Sequence, residues 1–79
     1  MRIAVLLFAG LREATGESRV ELELRDGATV ADAQAELLRR FPALRERRYA
    51  FALDHHYATA ATAIGGAREL ALIPPVSGG

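Results

Sequence analysis

The sequence predicts an α+β roll in which a mixed sheet carries one main amphipathic helix packed across it. Three patterns carry that prediction. Residues 3–8 and 70–73 are apolar runs with no wet side, residues 18–25 alternate apolar with charged side chains, and residues 30–41 repeat their apolar members at helical spacing.

Residues 2–9 form a nearly continuous apolar run, the pattern of a strand buried on both faces and placed centrally in a sheet. After Gly10, Leu11-Arg12-Glu13-Ala14-Thr15-Gly16 supplies helix formers closed by a glycine, enough for about one turn and a stop. In residues 18–25, Val20, Leu22 and Leu24 share one face while Arg19, Glu21, Glu23 and Arg25 share the other, so this is a half-buried strand forming a hairpin with the first. Asp26-Gly27 marks a turn. Thr29 is the expected N-cap of a helix, with Asp32 three residues on completing a variant capping box. Val30, Ala33, Leu37, Leu38 and Phe41 face inward, Asp32, Glu36, Arg39 and Arg40 face water, and Pro42 ends the helix.

Residues 49–53 predict a third strand, Asp54-His55-His56 a turn, residues 57–64 a weakly patterned stretch and Gly65-Gly66 another turn. Residues 69–73 predict the last strand, with Leu70 and Leu72 on one face, Ala71 and Ile73 on the other, and Pro74-Pro75 ending its ladder. The order β-β-α-β-β, with the first and last strands paired centrally beneath the helix, is the β-grasp arrangement.

At 79 residues the chain fits one domain, read as residues 1–74 followed by an extended tail at 75–79. A hydrophobic share of 51% with 25% charged residues describes a soluble globular protein with a modest core, for which partner contacts supply part of the stability. With no cysteine there is no disulfide, thiolate metal site or thiol nucleophile, and a reducing cytoplasm is the expected compartment. Ten basic and ten acidic residues give zero net charge, so neither nucleic acid nor an anionic membrane is an expected partner. The apolar run at the start is too short for a membrane span and lacks the small-residue cleavage site of a signal peptide. All ten basic residues are arginine, which makes the chain a poor acceptor for isopeptide chemistry.

His55-His56 are adjacent in an expected turn without a cysteine or a third ligand, the pattern of solvated side chains, and no metal site is expected. Arg39, Arg40, Arg45, Arg47 and Arg48 form a basic stretch broken only by Glu46. It reads either as a solvated helix end, where cations are favourable, or as a contact for RNA or for an acidic groove on a partner. No glycine-rich phosphate loop, Ser/His/Asp set or carboxylate pair can be assembled, so the chain is not expected to be catalytic alone but to serve as a protein cosubstrate.

The end of the sequence changes character. Pro74-Pro75 favour an extended chain, and Pro75 to Gly79 can span at most about 17 Å, enough to thread a recessed site in another protein. Gly78 and Gly79 have no Cβ, so a narrow channel can close around them and leave the Gly79 carboxyl accessible. A carboxylate is ionised at neutral pH and is a poor electrophile, so its use requires activation by a partner.

Phe8-Ala9-Gly10-Leu11-Arg12-Glu13-Ala14-Thr15-Gly16 and Ala71-Leu72-Ile73-Pro74-Pro75-Val76-Ser77-Gly78-Gly79 resemble the MoaD family, the small sulfur-carrier subunits of molybdopterin synthase, and the resemblance spans the whole chain. It implies a ubiquitin-like β-grasp fold. It also implies that Gly79 is adenylated by a MoeB-like enzyme at the expense of ATP, converted to a thiocarboxylate, and threaded through Pro75, Val76, Ser77 and Gly78 into a MoaE-like large subunit. There sulfur passes to cyclic pyranopterin monophosphate, within a heterotetramer, and no cofactor is bound by this chain itself. The resemblance further implies that Phe8, Tyr57 and Ile73 form an apolar docking face, with Arg12 helping to orient partners; for Phe8 and Ile73 core packing is the competing reading. Departures from the family pattern lie mainly between Asp54, where asparagine is common, and Gly66-Ala67-Arg68, which replaces a usual Asp-Gly-Asp turn. Two other readings stay open at this point. One is a ubiquitin-like modifier or a carrier for thiamine synthesis or tRNA thiolation, and the other is a β-grasp interaction module resembling a TGS domain, with an inert tail.

Overall fold

The computed structural model describes residues 1–75, and the tail residues Val76, Ser77, Gly78 and Gly79 lie outside the described residues. Five strands form one mixed sheet: β1 (Arg2–Leu7), β2 (Arg19–Glu23), β3 (Ala50–Leu53), β4 (His56–Ala58) and β5 (Glu69–Ile73). Their spatial order is β2-β1-β5-β3-β4. The first and last strands pair in parallel at the centre, with Val5 opposite Leu70 and Leu7 opposite Leu72, as the two-sided apolar runs predict. β2 and β3 flank that pair antiparallel.

Two helices accompany the sheet. α1 (Ala9–Thr15) is closed by Gly16 in the left-handed region at φ 77°, a conformation that costs glycine nothing because it lacks a Cβ. α2 (Val30–Arg40) begins with the expected capping box: the Thr29 hydroxyl accepts from the Asp32 N–H, and the Asp32 carboxylate accepts from the Thr29 N–H at 2.8 Å. Val30, Ala33 and Leu37 face the sheet and are fully buried. They close a core with Ile3, Val5, Leu7, Leu11, Leu22, Leu44, Leu70 and Leu72.

Three features depart from the pattern-based reading. The helix does end before Pro42, but a 3₁₀ turn (Pro42–Glu46) follows and carries Leu44 into the core. Proline is well placed at such a start, where its missing N–H has no partner to lose. The expected turn 54–56 is shorter: only Asp54 (φ 45°) and His55 (φ 72°) form it, the two-residue geometry whose twist suits a hairpin, and His56 already belongs to β4. The weakly patterned segment is ordered by backbone bonds instead of side-chain pattern. The Val30 and Ala31 N–H groups at the start of α2, which no helical carbonyl can reach, donate to the carbonyls of Thr62 and Ala60 at 2.9 and 2.8 Å.

Candidate functional site

The face of the sheet opposite α2 is where the chain leaves apolar surface uncovered among its described residues. Register fixes which side chains share it. Leu6 lies opposite Ala71, Ala71 opposite Ala52, and Ala52 opposite Tyr57, forming one row across the four strands β1, β5, β3 and β4. Ile73 continues the same face of β5, since side chains two apart point the same way. The small alanines in the middle and the larger groups around them make a depression of about 290 Å³, lined by Leu6, Phe8, Ala52, Ala71, Tyr57 and Ile73, with Asp54, His55 and Glu69 at its polar end.

The run at residues 2–9 reads as buried on both faces, and the structure corrects this. The inner side chains of Ile3, Val5 and Leu7 are buried, whereas Leu6 on the outer side is only half-buried and Phe8, just beyond the strand, is 47% exposed. The positive φ of Ala9 (47°) turns the chain from β1 into α1 directly after Phe8. Tyr57 is 81% exposed. Phe8 is therefore outside the buried cluster, and so is Ile73, half-buried at the same depression. Of the four docking candidates, Phe8, Tyr57 and Ile73 come together; Arg12 stands exposed on α1 and does not line the depression.

Leu6, Ala52, Ala71, Asp54 and Glu69 were not among the expected site residues. The apolar ones are traceable to the same signal, an apolar run facing both ways. Asp54 is traceable to nothing in the local pattern, because its role is long-range: its carboxylate accepts from the backbone N–H groups of Arg68 (3.0 Å) and Glu69 (2.9 Å), tying the β3–β4 turn to the start of β5. The Asp54 N–H in turn donates to the Glu69 carbonyl at 3.0 Å. The bond from the Glu69 N–H, then that from Arg68, hold the Asp54 carboxyl below the ordinary aspartate range despite some desolvation, with the charges of His55 and Arg68 adding to the effect.

This gives a pH prediction with a definite sign. A carboxyl whose pKa is lower folded than unfolded adds stability at pH values above its unfolded pKa, and that contribution disappears as pH falls through the folded value. Asp54→Asn is expected to melt below the wild type at neutral pH, and the gap is expected to close under acidic conditions below about pH 4, where free aspartates protonate. Thermal melts of both proteins across that range check it; a gap that persists unchanged in acid would show that the charge is irrelevant.

The two histidines diverge. His55 lines the depression, whereas the His56 ring nitrogen Nδ1 lies 3.0 Å from the Asp54 carbonyl oxygen. Among the described residues no three His, Cys, Asp or Glu side chains are grouped to hold a metal ion, and no helix is long and apolar enough to cross a membrane. The depression and the tail are continuous in the chain: Ile73 lines it and is followed at once by Pro74 and Pro75.

Residues 5–79 match the ThiS family. The chain is 41% identical over 81 residues to the molybdopterin synthase sulfur carrier subunit of Arabidopsis thaliana, covering 100% of this chain and 84% of that protein. It is 34% identical over 82 residues to the protein of the same name from Mycobacterium tuberculosis, covering 100% and 99%. Small archaeal modifier protein 1 of Haloferax volcanii is 37% identical over 83 residues, covering 92% and 95%. The crystal structure of SAMP1 from Haloferax volcanii superposes with a TM-score of 0.88 over the full length of both chains, at 32% identity in that superposition. The fold is thus the ubiquitin-like β-grasp of these carriers and modifiers, and the chain belongs to the ThiS family, with molybdopterin synthase sulfur carrier subunits among its full-length relatives.

Proposed function

We propose that the chain is the sulfur-carrying small subunit of a molybdopterin synthase and acts as a protein cosubstrate. The observation that carries this reading is its full-length likeness to proteins bearing that name. The sequence adds a Gly78-Gly79 terminus reached through Pro74-Pro75. In the first step an oxygen of the Gly79 carboxylate attacks the α-phosphorus of ATP on a MoeB-like adenylating enzyme, and pyrophosphate leaves. A hydrosulfide ion then attacks the carbonyl carbon of the acyl adenylate, AMP leaves with the electrons of the broken C–O bond, and loss of the S–H proton leaves the terminus as a thiocarboxylate. Activation is needed because the free carboxylate is ionised at neutral pH and repels nucleophiles.

The carrier next docks through Phe8, Tyr57 and Ile73 on a MoaE-like large subunit, and its tail delivers the sulfur to cyclic pyranopterin monophosphate to build the dithiolene. The geometry supports this division of labour. β5 is hydrogen-bonded on both sides, to β1 and to β3, so the root of the tail is held rigidly beside the apolar depression. Docking that face would also aim residues 76–79 at the partner, and glycines at 78 and 79 would let a narrow channel close around them. A large subunit that is itself dimeric would carry two such chains, giving a heterotetramer. ATP belongs to the activating partner, and no cofactor is assigned to this chain.

A second reading has a specific observation behind it: the likeness to small archaeal modifier protein 1 favours a ubiquitin-like modifier that shares the same activated terminus. The intact mass of the chain, after incubation with ATP, a sulfur source and its host's adenylating enzyme, tests the common step. A gain equal to one oxygen exchanged for sulfur, absent from a Gly79-deleted control, is expected. No gain, with an enzyme competent on another carrier, would retire the carrier reading. Lysine adducts ending in Gly-Gly in host proteins would favour the modifier.

A further inference from the structure

The basic stretch of the sequence divides in the folded chain. Arg39 and Arg40 are ion-paired with Glu36, and Arg2, Arg19 and Arg25 with Glu23, Glu21 and Asp32. Those five pairs lie on β1, β2, the loop after it and α2. Arg45, Arg47 and Arg48 have no carboxylate within ion-pair distance among the described residues, although Glu46 lies between them in the sequence. All three line one shallow groove of about 450 Å³. Arg48 also lines two further grooves, of about 360 and 370 Å³, together with Pro74 and Pro75 at the root of the tail, and Arg47 lines the second of these. Arg47 reaches across to α1, where a Cβ added to Gly10 would meet its guanidinium at 3.4 Å. Among the described residues Arg12 and Arg68 also lack an ion-pair partner, but it is Arg47 and Arg48 that line the grooves at the tail root with Pro74 and Pro75.

Unpaired guanidinium groups gain most from carboxylates or phosphates presented in the matching planar geometry. Reach distinguishes the two. Residues 76–79 span up to about 14 Å when extended, so arginines at the tail root meet the entrance of the site that the tail enters and not the phosphates of a substrate reacting at Gly79. Zero net charge, with Glu46 in the same groove as Arg47, argues against nucleic acid. Resting on the carrier reading above, we propose that Arg47 and Arg48, with Arg45 beside them, form a collar that docks onto acidic residues at the mouth of the large subunit's tail-binding site. The apolar depression then supplies the buried centre of the interface and the collar its charged rim, which governs encounter more than residence.

The test is the rate of association of the full chain with its large subunit at low and high ionic strength. Arg47→Gln/Arg48→Gln is compared with Arg25→Gln/Arg39→Gln, which removes the same charge beside α2, where neither arginine lines the depression or the grooves at the tail root. The first double variant is expected to associate about tenfold more slowly at low salt, with a flattened salt dependence and little change in dissociation rate. The second is expected to stay within about twofold of wild type, both melting within a few degrees of it. Equal slowing by the two variants would reduce the effect to net charge and overturn the collar, as would no slowing by either. RNA retained by the wild type and lost from the first variant, with association unchanged, would reassign the patch to nucleic acid. Wild-type chain that does not bind the large subunit at all would sink the carrier reading and the collar together, whereas normal wild-type binding with indistinguishable variants sinks the collar alone.

Discussion

Leu72→Ala is expected to destabilise the chain by about 3 kcal/mol, within the range measured for burying and then deleting a leucine side chain. Leu72 is completely buried at the centre of β5, with Leu7 and Phe51 opposite it on the two neighbouring strands. A domain of 79 residues has a total stability of about 4–12 kcal/mol by the usual per-residue range, so this single deletion removes a large fraction. The melting temperature should fall by on the order of 15 °C. Ile73→Ala, one residue on but facing the open side of the sheet, should cost far less. Chemical denaturation of the two variants, with m-values compared to wild type, checks the contrast. If both cost the same, the division of β5 into a buried face and a docking face is wrong. The consequence for function is direct, because β5 is the anchor from which the tail departs, and a chain that frays there loses the rigid aim of Pro74-Pro75.

The fold was legible because its strongest signals are local. A capping box needs only Thr29 and Asp32, and both of its bonds form. The central parallel pair was legible from two apolar runs that no edge strand could tolerate, and β1 and β5 do lie side by side. What the sequence hid depends on distant chain. β4 has only three residues, His56-Tyr57-Ala58, and its identity as a strand comes from pairing with β3, not from any alternation of its own. The loop 59–64 is held by the unsatisfied N–H groups of a helix thirty residues earlier in the chain, a demand invisible to periodicity.

The site shows the same division. Phe8, Tyr57 and Ile73 entered through a family resemblance, and the structure brings them to one depression. Their physical signature was nonetheless present in the sequence: an apolar run facing both ways needs a cover on both sides, and α2 supplies only one. The missing cover is what a partner would provide. Asp54 was legible only as a departure at a turn, since its two acceptor bonds go to Arg68 and Glu69. The split of the arginines was equally hidden. Arg39 and Arg40 find Glu36 at helical spacing, a pairing that a sequence does reveal, but the approach of Arg47 and Arg48 to Pro74-Pro75 arises only in the folded chain, where they line one groove.

Phe8→Ala should raise the Kd for the large subunit about 30-fold, equivalent to roughly 2 kcal/mol, while leaving the fold intact. The argument starts from exposure. With 47% of its surface in water, Phe8 contributes less to the core than any fully buried leucine, so its removal should lower the melting temperature by only a few degrees. In a complex the same ring would be desolvated beside Leu6, Ala71 and Ile73, where aromatic side chains supply a large apolar area at little conformational cost. Tyr57, 81% exposed at the opposite rim of the depression, is the natural second anchor, and Tyr57→Ala should weaken binding with even less effect on stability. Because both residues line one concave surface, their effects need not add, and a double-mutant cycle would measure how far they act as a unit. Calorimetric Kd values alongside thermal melts decide the matter. Weakened binding by a well-folded variant supports docking through this face; unchanged affinity in both single variants would move the interface elsewhere, and unfolding of Phe8→Ala would return the ring to the core despite its exposure.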